Sequence, residues 1–369
     1  MSAATAAPPT YVWEPTTDFL AAKYHLPRES IVRFDVNTSP IAPDLGAILG
    51  GAFDPPLNEY PPSDYAPLVA AAAQAYGART DEILPTAGAD EALDLIARAS
   101  LREGSVAVVA TPTYAMYRIV SEQRGATVIQ VPRLGPEDDF RLDLDALAAA
   151  ARTAQTVWLC EPNNPTGALE PPERIGRLLA MLESQADRDE RELPLVVVDE
   201  AYAEFSGRTV LPLRRDYSRL VVVRTLSKAH ALAGARVGFA VATPETLAPI
   251  VQFRPPASVG TVSAALATAA LRRPELAAGN VARIADQRTR LQRDLASIGW
   301  RPYPSVGNFI LIRFNSPAAA AGAAESLLRR GLVPRSFDTG HPLADCLRLT
   351  VRSAPENDRL IEAARGIPA

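Results

Sequence analysis

Cysteine is almost missing from this chain: Cys160 and Cys346 are the two present in 369 residues. Each sits inside an apolar, strand-like run, and neither has another Cys or a His at metal-ligand spacing. That excludes a disulfide framework and a cysteine-built metal centre, and it leads us to expect two buried, reduced thiols in a cytoplasmic protein. Histidine is equally scarce. His25, His230 and His341 form no set, so they receive no role and no metal is expected. No apolar run approaches the ~20 residues that span a bilayer, so a membrane is not expected as a partner. The Met1 to Thr10 segment lacks a charged stretch followed by an apolar one and does not read as a secretory signal. Basic blocks are missing too. The net charge of −4 is spread along the chain, which gives no electrostatic case for nucleic acid. No strand-like run is followed by Gly-x-Gly-x-x-Gly with an acidic residue downstream, which argues against a nicotinamide cofactor.

What remains is an ordinary globular composition, 47% hydrophobic and 22% charged, in a chain too long for one small core. Short β-rich runs alternate with helical patterns through the middle. Strands are expected at Ser105 to Ala110, Thr127 to Val131, Thr156 to Cys160, Leu195 to Asp199, Leu220 to Val223 and Gly238 to Val241. Helices are expected at Ala89 to Leu101, Thr113 to Gln123, Leu142 to Arg152, Pro172 to Ser184 and in the region after Lys228. This alternation argues an α/β fold with a mostly parallel sheet between helices. After about Pro255 the style changes. Ser258 to Leu271, Glu275 to Ile298, Ala318 to Arg330 and Glu356 to Arg365 read as helices, with strands at Phe309 to Phe314 and Leu347 to Val351. The expected division is residues 1–38 as an N-terminal arm and part of a small domain, 39–254 as a large domain, and 255–369 as a small α+β domain. Arg254-Pro255-Pro256 would be the hinge.

Open α/β sheets bind ligands at the carboxyl ends of their strands. Four segments there carry chemistry. Ala87-Gly88-Ala89-Asp90-Glu91 is a small-residue turn opening a helix, whose free N–H groups suit a phosphate. Glu161-Pro162-Asn163-Asn164-Pro165-Thr166-Gly167 is dense turn chemistry, and an Asn amide there could donate to a phenolate oxygen. Asp199 ends a buried apolar strand, where a lone carboxylate is costly without a cationic partner such as a protonated pyridine nitrogen. Lys228 follows the run Leu220 to Val223. Its amine can condense with an aldehyde, while Ser227 and Arg236 can hold a phosphate. Each segment alone also fits a structural role, as a helix cap, a loop or a solvated lysine. Their order after successive strands is what argues for a site.

With these residues in view, the chain resembles the aminotransferases of classes I and II, of fold type I of the pyridoxal-phosphate enzymes. Within that family it is most like the histidinol-phosphate aminotransferases. The matching segments are Leu57-Asn58-Glu59-Tyr60-Pro61, Ala87-Gly88-Ala89-Asp90-Glu91, Pro112-Thr113-Tyr114-Ala115-Met116-Tyr117, Pro162 to Gly167, Asp199-Glu200-Ala201-Tyr202, Ser227-Lys228 and Cys346-Leu347-Arg348-Leu349-Thr350. The resemblance implies pyridoxal 5'-phosphate bound covalently to Lys228, which also moves the substrate proton. It implies Asp199 at the ring nitrogen, Asn163 and Tyr202 at the ring oxygen, and Tyr114 against the ring face. Gly88, Ala89, Asp90, Ser227 and Arg236 would surround the cofactor phosphate. Tyr60 would reach the phosphate in a neighbouring subunit, so a homodimer is implied. Arg348 would clamp a substrate carboxylate, with Asn163 beside it, and Arg335, thirteen residues earlier, would bind the phosphate of histidinol phosphate. The implied reaction is transamination between histidinol phosphate and 2-oxoglutarate in histidine biosynthesis. The alternatives are a broad-range or aromatic aminotransferase, or a related phospho-amino-acid decarboxylase. Three positions depart from the group's pattern: Thr38-Ser39 lacks the usual acidic residue, His230 replaces an aromatic, and Arg352 replaces a glycine. Arg352 would serve an anionic substrate or sit in solvent.

Overall fold

The computed structural model describes residues 9–50 and 55–369, so most of the Met1 to Thr10 segment lies outside the described residues. In chain order the first elements are α1 (Thr17–Tyr24), β1 (Val32–Arg33), α2 (Leu45–Leu49), α3 (Ala66–Tyr76), β2 (Ile83–Thr86) and α4 (Ala89–Ser100). There follow β3 (Val106–Thr111), α5 (Met116–Gln123), β4 (Thr127–Pro132), α6 (Leu144–Ala150), β5 (Thr156–Cys160), α7 (Pro172–Arg188) and β6 (Leu195–Asp199). The next are α8 (Ala203–Ser206), β7 (Leu220–Thr225), β8 (Gly238–Val241), α9 (Pro244–Val251), α10 (Thr261–Leu271) and α11 (Pro274–Ser297). The last are β9 (Arg301–Pro302), β10 (Phe309–Arg313), α12 (Pro317–Leu328), β11 (Leu332–Val333), β12 (Arg335–Ser336), β13 (Cys346–Thr350) and α13 (Ala354–Ala364).

Seven strands form one sheet in the order β2-β8-β7-β6-β5-β3-β4. The pairs from β7 to β4 are parallel. β8 runs antiparallel to both its neighbours. Both faces are covered, which explains the continuous apolar runs. In β5, Val157 and Leu159 face one apolar cluster, while Trp158 and Cys160 face the other. In β6, Val196 and Val198 alternate in the same way with Leu195 and Val197. Each buried Val or Leu contributes about 1.5–3 kcal/mol, so these two strands hold the centre of the sheet.

The carboxyl ends of β3, β5, β6 and β7 emerge along one edge. The antiparallel β8 begins at that edge, because Thr225 and Thr86 both pair with Gly238. A second, four-stranded antiparallel sheet runs β12-β13-β10-β9 and packs against α11, α12 and α13. β1 pairs in parallel with β11, and Val32 and Phe34 join this second core. Tyr202, Ala229, Ile284, Phe309 and Val351 form a smaller cluster between the sheets, with the Tyr202 and Phe309 rings edge to face at 5.2 Å.

Two expectations need correcting. The region after Lys228 holds a single 3-10 turn, Ala233–Ala235, and no α-helix before α9. Ala231 and Arg236 there take positive φ values of 58° and 52°, which a helix does not tolerate. The helix expected from Thr113 begins at Met116, leaving Thr113 and Tyr114 in the loop at the sheet edge.

Candidate active site

Lys228 projects from the loop after β7, half-buried, with its Nζ donating to the Asn37 carbonyl at 3.2 Å. Burial, reinforced by the nearby Arg348 charge, lowers its pKa to about 8. An amine in that range is deprotonated often enough near neutrality to act as a nucleophile or base. It lies 5.6 Å from the centre of the Tyr202 ring.

Asp199 ends β6 and is 4% exposed. The Tyr117 hydroxyl donates to its Oδ2 at 2.8 Å and the Ala201 N–H to its Oδ1 at 3.0 Å. Burial outweighs these bonds and lifts its pKa to about 6. No Lys or Arg forms an ion pair with it among the described residues. It is therefore a carboxylate whose ionised form lacks a cation, as expected of a group that faces a protonated ring nitrogen. Tyr117 was not anticipated as its partner. It lies three residues after Tyr114, on the first turn of α5, stacked on Trp158 at 5.9 Å.

The two asparagines after β5 divide differently from the expectation. Asn163 is fully buried. Its Nδ2 donates to the Pro112 carbonyl at 3.0 Å and to Thr166 Oγ1 at 2.8 Å, and its Oδ1 accepts from Thr113 Oγ1 at 2.9 Å. Its two N–H groups are taken by the Pro112 carbonyl in the loop after β3 and by Thr166 in its own loop, so Asn163 has no donor left for a ring oxygen or a substrate. Asn164 is half-buried, and its Oδ1 accepts from Arg348 Nη1 at 2.6 Å. Its amide N–H groups make no bond among the described residues, and through Arg348 it is the amide turned toward the site.

Tyr202 Oη accepts from Asn37 Nδ2 at 3.1 Å, and burial raises its pKa. Asn37 holds a positive φ of 50° and also engages Thr350, through its N–H and its Oδ1. One residue thereby ties the first segment of the chain to Lys228, Tyr202 and β13.

At the other end of the site, Gly88 caps α4 with φ +84°. A Cβ there would lie 2.5 Å from Arg236 Nη2, and a Cβ on Gly238 would lie 2.6 Å from the Gly88 carbonyl carbon. The two glycines let β8, the α4 N-terminus and Arg236 converge. Arg236 Nη2 donates to Asp90 Oδ2 at 3.1 Å, and Asp90 Oδ1 accepts from Tyr114 Oη at 3.1 Å. Ser227 Oγ accepts from Thr225 and keeps its own proton to give. A helix N-terminus, a hydroxyl and a guanidinium converging in this way fit a phosphate.

Arg348, on β13, is 8% exposed and pairs with no carboxylate among the described residues. Its Nη2 donates to the Asp35 carbonyl, and its Nε is buried without a partner. Burial lowers its pKa to about 10. Directly opposite, in register on β12, stands Arg335. Arg335 is ion-paired with Glu14, from a segment more than 300 residues earlier that no sequence pattern connects to it. Arg352 pairs with Glu356 at 2.8 Å, the carboxylate that also closes the capping box with Ser353 at the start of α13. Tyr60 is 89% exposed, outside this chain's own site.

The sequence model of the family described as Aminotransferase class I and II matches residues 52–364. The histidinol-phosphate aminotransferase of Roseiflexus castenholzii is 34% identical, covering 94% of this chain and 92% of its own length. That of Stenotrophomonas maltophilia is 40% identical over 78% of each. The crystal structure of histidinol-phosphate aminotransferase from Sinorhizobium meliloti in complex with pyridoxal-5'-phosphate superposes with a TM-score of 0.85. It is 27% identical, covering 96% of this chain and 95% of that one. This protein belongs to the class I and II aminotransferases.

Proposed function

We propose that the protein transfers an amino group between histidinol phosphate and 2-oxoglutarate, giving imidazole-acetol phosphate and L-glutamate, in histidine biosynthesis. The observation that carries this is the cross-strand pair Arg335 and Arg348 beside Lys228. Two guanidiniums facing each other are unfavourable unless an anion bridges them. A phosphate or a carboxylate of the alternating substrates is such an anion.

Pyridoxal 5'-phosphate, when bound, supplies an electron sink for negative charge developing at the substrate Cα. Lys228 would hold it covalently, Asp199 would keep its ring nitrogen charged, and Asn164 with Tyr202 would bond its ring oxygen. Tyr114 would cover its face, and the Gly88–Asp90 turn, Ser227 and Arg236 would hold its phosphate. Lys228 Nζ, with its lowered pKa, would take the proton from the substrate Cα and hold it for return. Arg348, oriented by Asn164 Oδ1, fixes the substrate anion so that the Cα–H bond faces Nζ.

The assembly we propose is a homodimer in which Tyr60 completes the partner's phosphate site. Its support is the exposure of Ile41, Leu45, Leu57, Tyr60 and Val262 around α2 and α10. Free, buried cysteines suit a cytoplasmic location. We take residues 1–38 and the chain after α10 as the small domain, supported by the pairing of β1 with β11; α10, expected in that domain from a boundary at residue 255, instead packs with α3 in the core of the large one.

The test is Arg335→Ala. It should cut kcat/KM for histidinol phosphate by a factor equivalent to about 2–4 kcal/mol, while histidinol changes little. Equal losses for the two donors would contradict the phosphate assignment.

A further inference from the structure

Residues 9–16 lie across the mouth of the site. Tyr11 meets the Tyr114 ring edge-on at 6.4 Å, and Trp13 meets Tyr11 at 5.3 Å. Gln123 Nε2 donates to the Pro9 carbonyl at 2.9 Å. Val12 and Trp13 remain more than 80% exposed. A segment held by so few contacts moves at little cost.

Its one charged contact is Glu14 on Arg335. Glu14 makes no bond to Arg348, whose fork is left with Asn164 and a backbone carbonyl. A monoanion on one arginine therefore only half-neutralises the pair. A phosphate dianion between the two can accept from both forks, which is the stronger arrangement. We propose that Glu14 is the resident counter-ion of this two-arginine site, and that a phosphate-bearing substrate displaces it. Neutral donors such as an alcohol cannot displace it. Glu14 is then a specificity-determining residue: it anchors the 9–16 strap across the mouth until an anion takes its place on Arg335, so a donor without the phosphate meets the strap still anchored. This rests on Arg335 being the phosphate contact in the proposed function.

The experiment uses the cofactor-loaded enzyme with inorganic phosphate as a competitive inhibitor against glutamate. Glu14→Gln should tighten phosphate inhibition about two- to fivefold, the scale of a part-exposed ion pair. Glu14→Asp should stay near the wild-type value. Trp13 gives a second readout, because Trp158 and Trp300 are buried. Phosphate should lower the fluorescence anisotropy contributed by Trp13 in the wild type as the strap is released, and Glu14→Gln should show that lower anisotropy without phosphate. Unchanged or weaker phosphate inhibition in Glu14→Gln would overturn the inference, because Glu14 would then be idle or would be propping Arg335 in place. The two readings fail separately. If the wild type shows no preference for histidinol phosphate yet Glu14→Gln still tightens phosphate, the substrate assignment falls and the counter-ion stands.

Discussion

Replacing Asn163 and Asn164 one at a time separates two neighbouring residues that the sequence leaves indistinguishable. Asn163→Ala removes three hydrogen bonds at a fully buried position, to Pro112, Thr113 and Thr166. At about 1 kcal/mol for each bond, plus a penalty for partners left unsatisfied, the cost is about 2–4 kcal/mol of stability. Asn164→Ala removes one bond, to the Arg348 guanidinium, at a half-buried position. It leaves the fold intact but lets the Arg348 fork rotate. A charge-assisted bond of about 1.5–3 kcal/mol corresponds to a rise in the KM for glutamate of about 10–100-fold. The assays are thermal unfolding of the cofactor-free variants and steady-state kinetics of the loaded ones. An Asn163→Ala variant that keeps its melting temperature and loses substrate affinity, with Asn164→Ala doing the reverse, would refute this division of roles.

Other outcomes follow from the charges at the site. The cofactor-free protein should capture pyridoxal phosphate faster as pH rises through about 8, because the lowered Lys228 pKa exposes free amine above it. Arg348→Met removes a cation that lowers this pKa, so the midpoint should move up. Lys228→Ala should lose both the capture and transamination. Tyr117→Phe deletes a donor that favours ionised Asp199, so the Asp199 pKa should rise further above about 6. The acid limb of the rate profile should then shift to higher pH, and an unmoved limb would show that Asp199 is not ionisation-limited.

β5, β6 and β8 were readable from end to end, because a run buried on both faces is bounded by polar residues where it leaves the sheet. β2 was not. Ile83–Thr86 contains Pro85 and sits at the sheet edge, where a missing N–H is tolerated, so the segment reads as a turn. Lys228, Asp199, Tyr202, Ser227 and Arg236 are legible because each ends or follows a strand whose end the sequence marks. Asn163 and Asn164 are not distinguishable in the sequence, since which of two adjacent amides is buried is decided by Thr113 and Thr166 closing on one of them. Glu14 was invisible, because an ion pair across more than 300 residues leaves no local pattern.

The most direct test of the account is a comparison of amino donors on the pyridoxal-phosphate-loaded protein, following conversion of the cofactor absorbance to the pyridoxamine form. Histidinol phosphate should be converted far more efficiently than histidinol or phenylalanine, with glutamate as the other competent donor. Efficient turnover of phenylalanine with no preference for the phosphorylated donor would contradict the account.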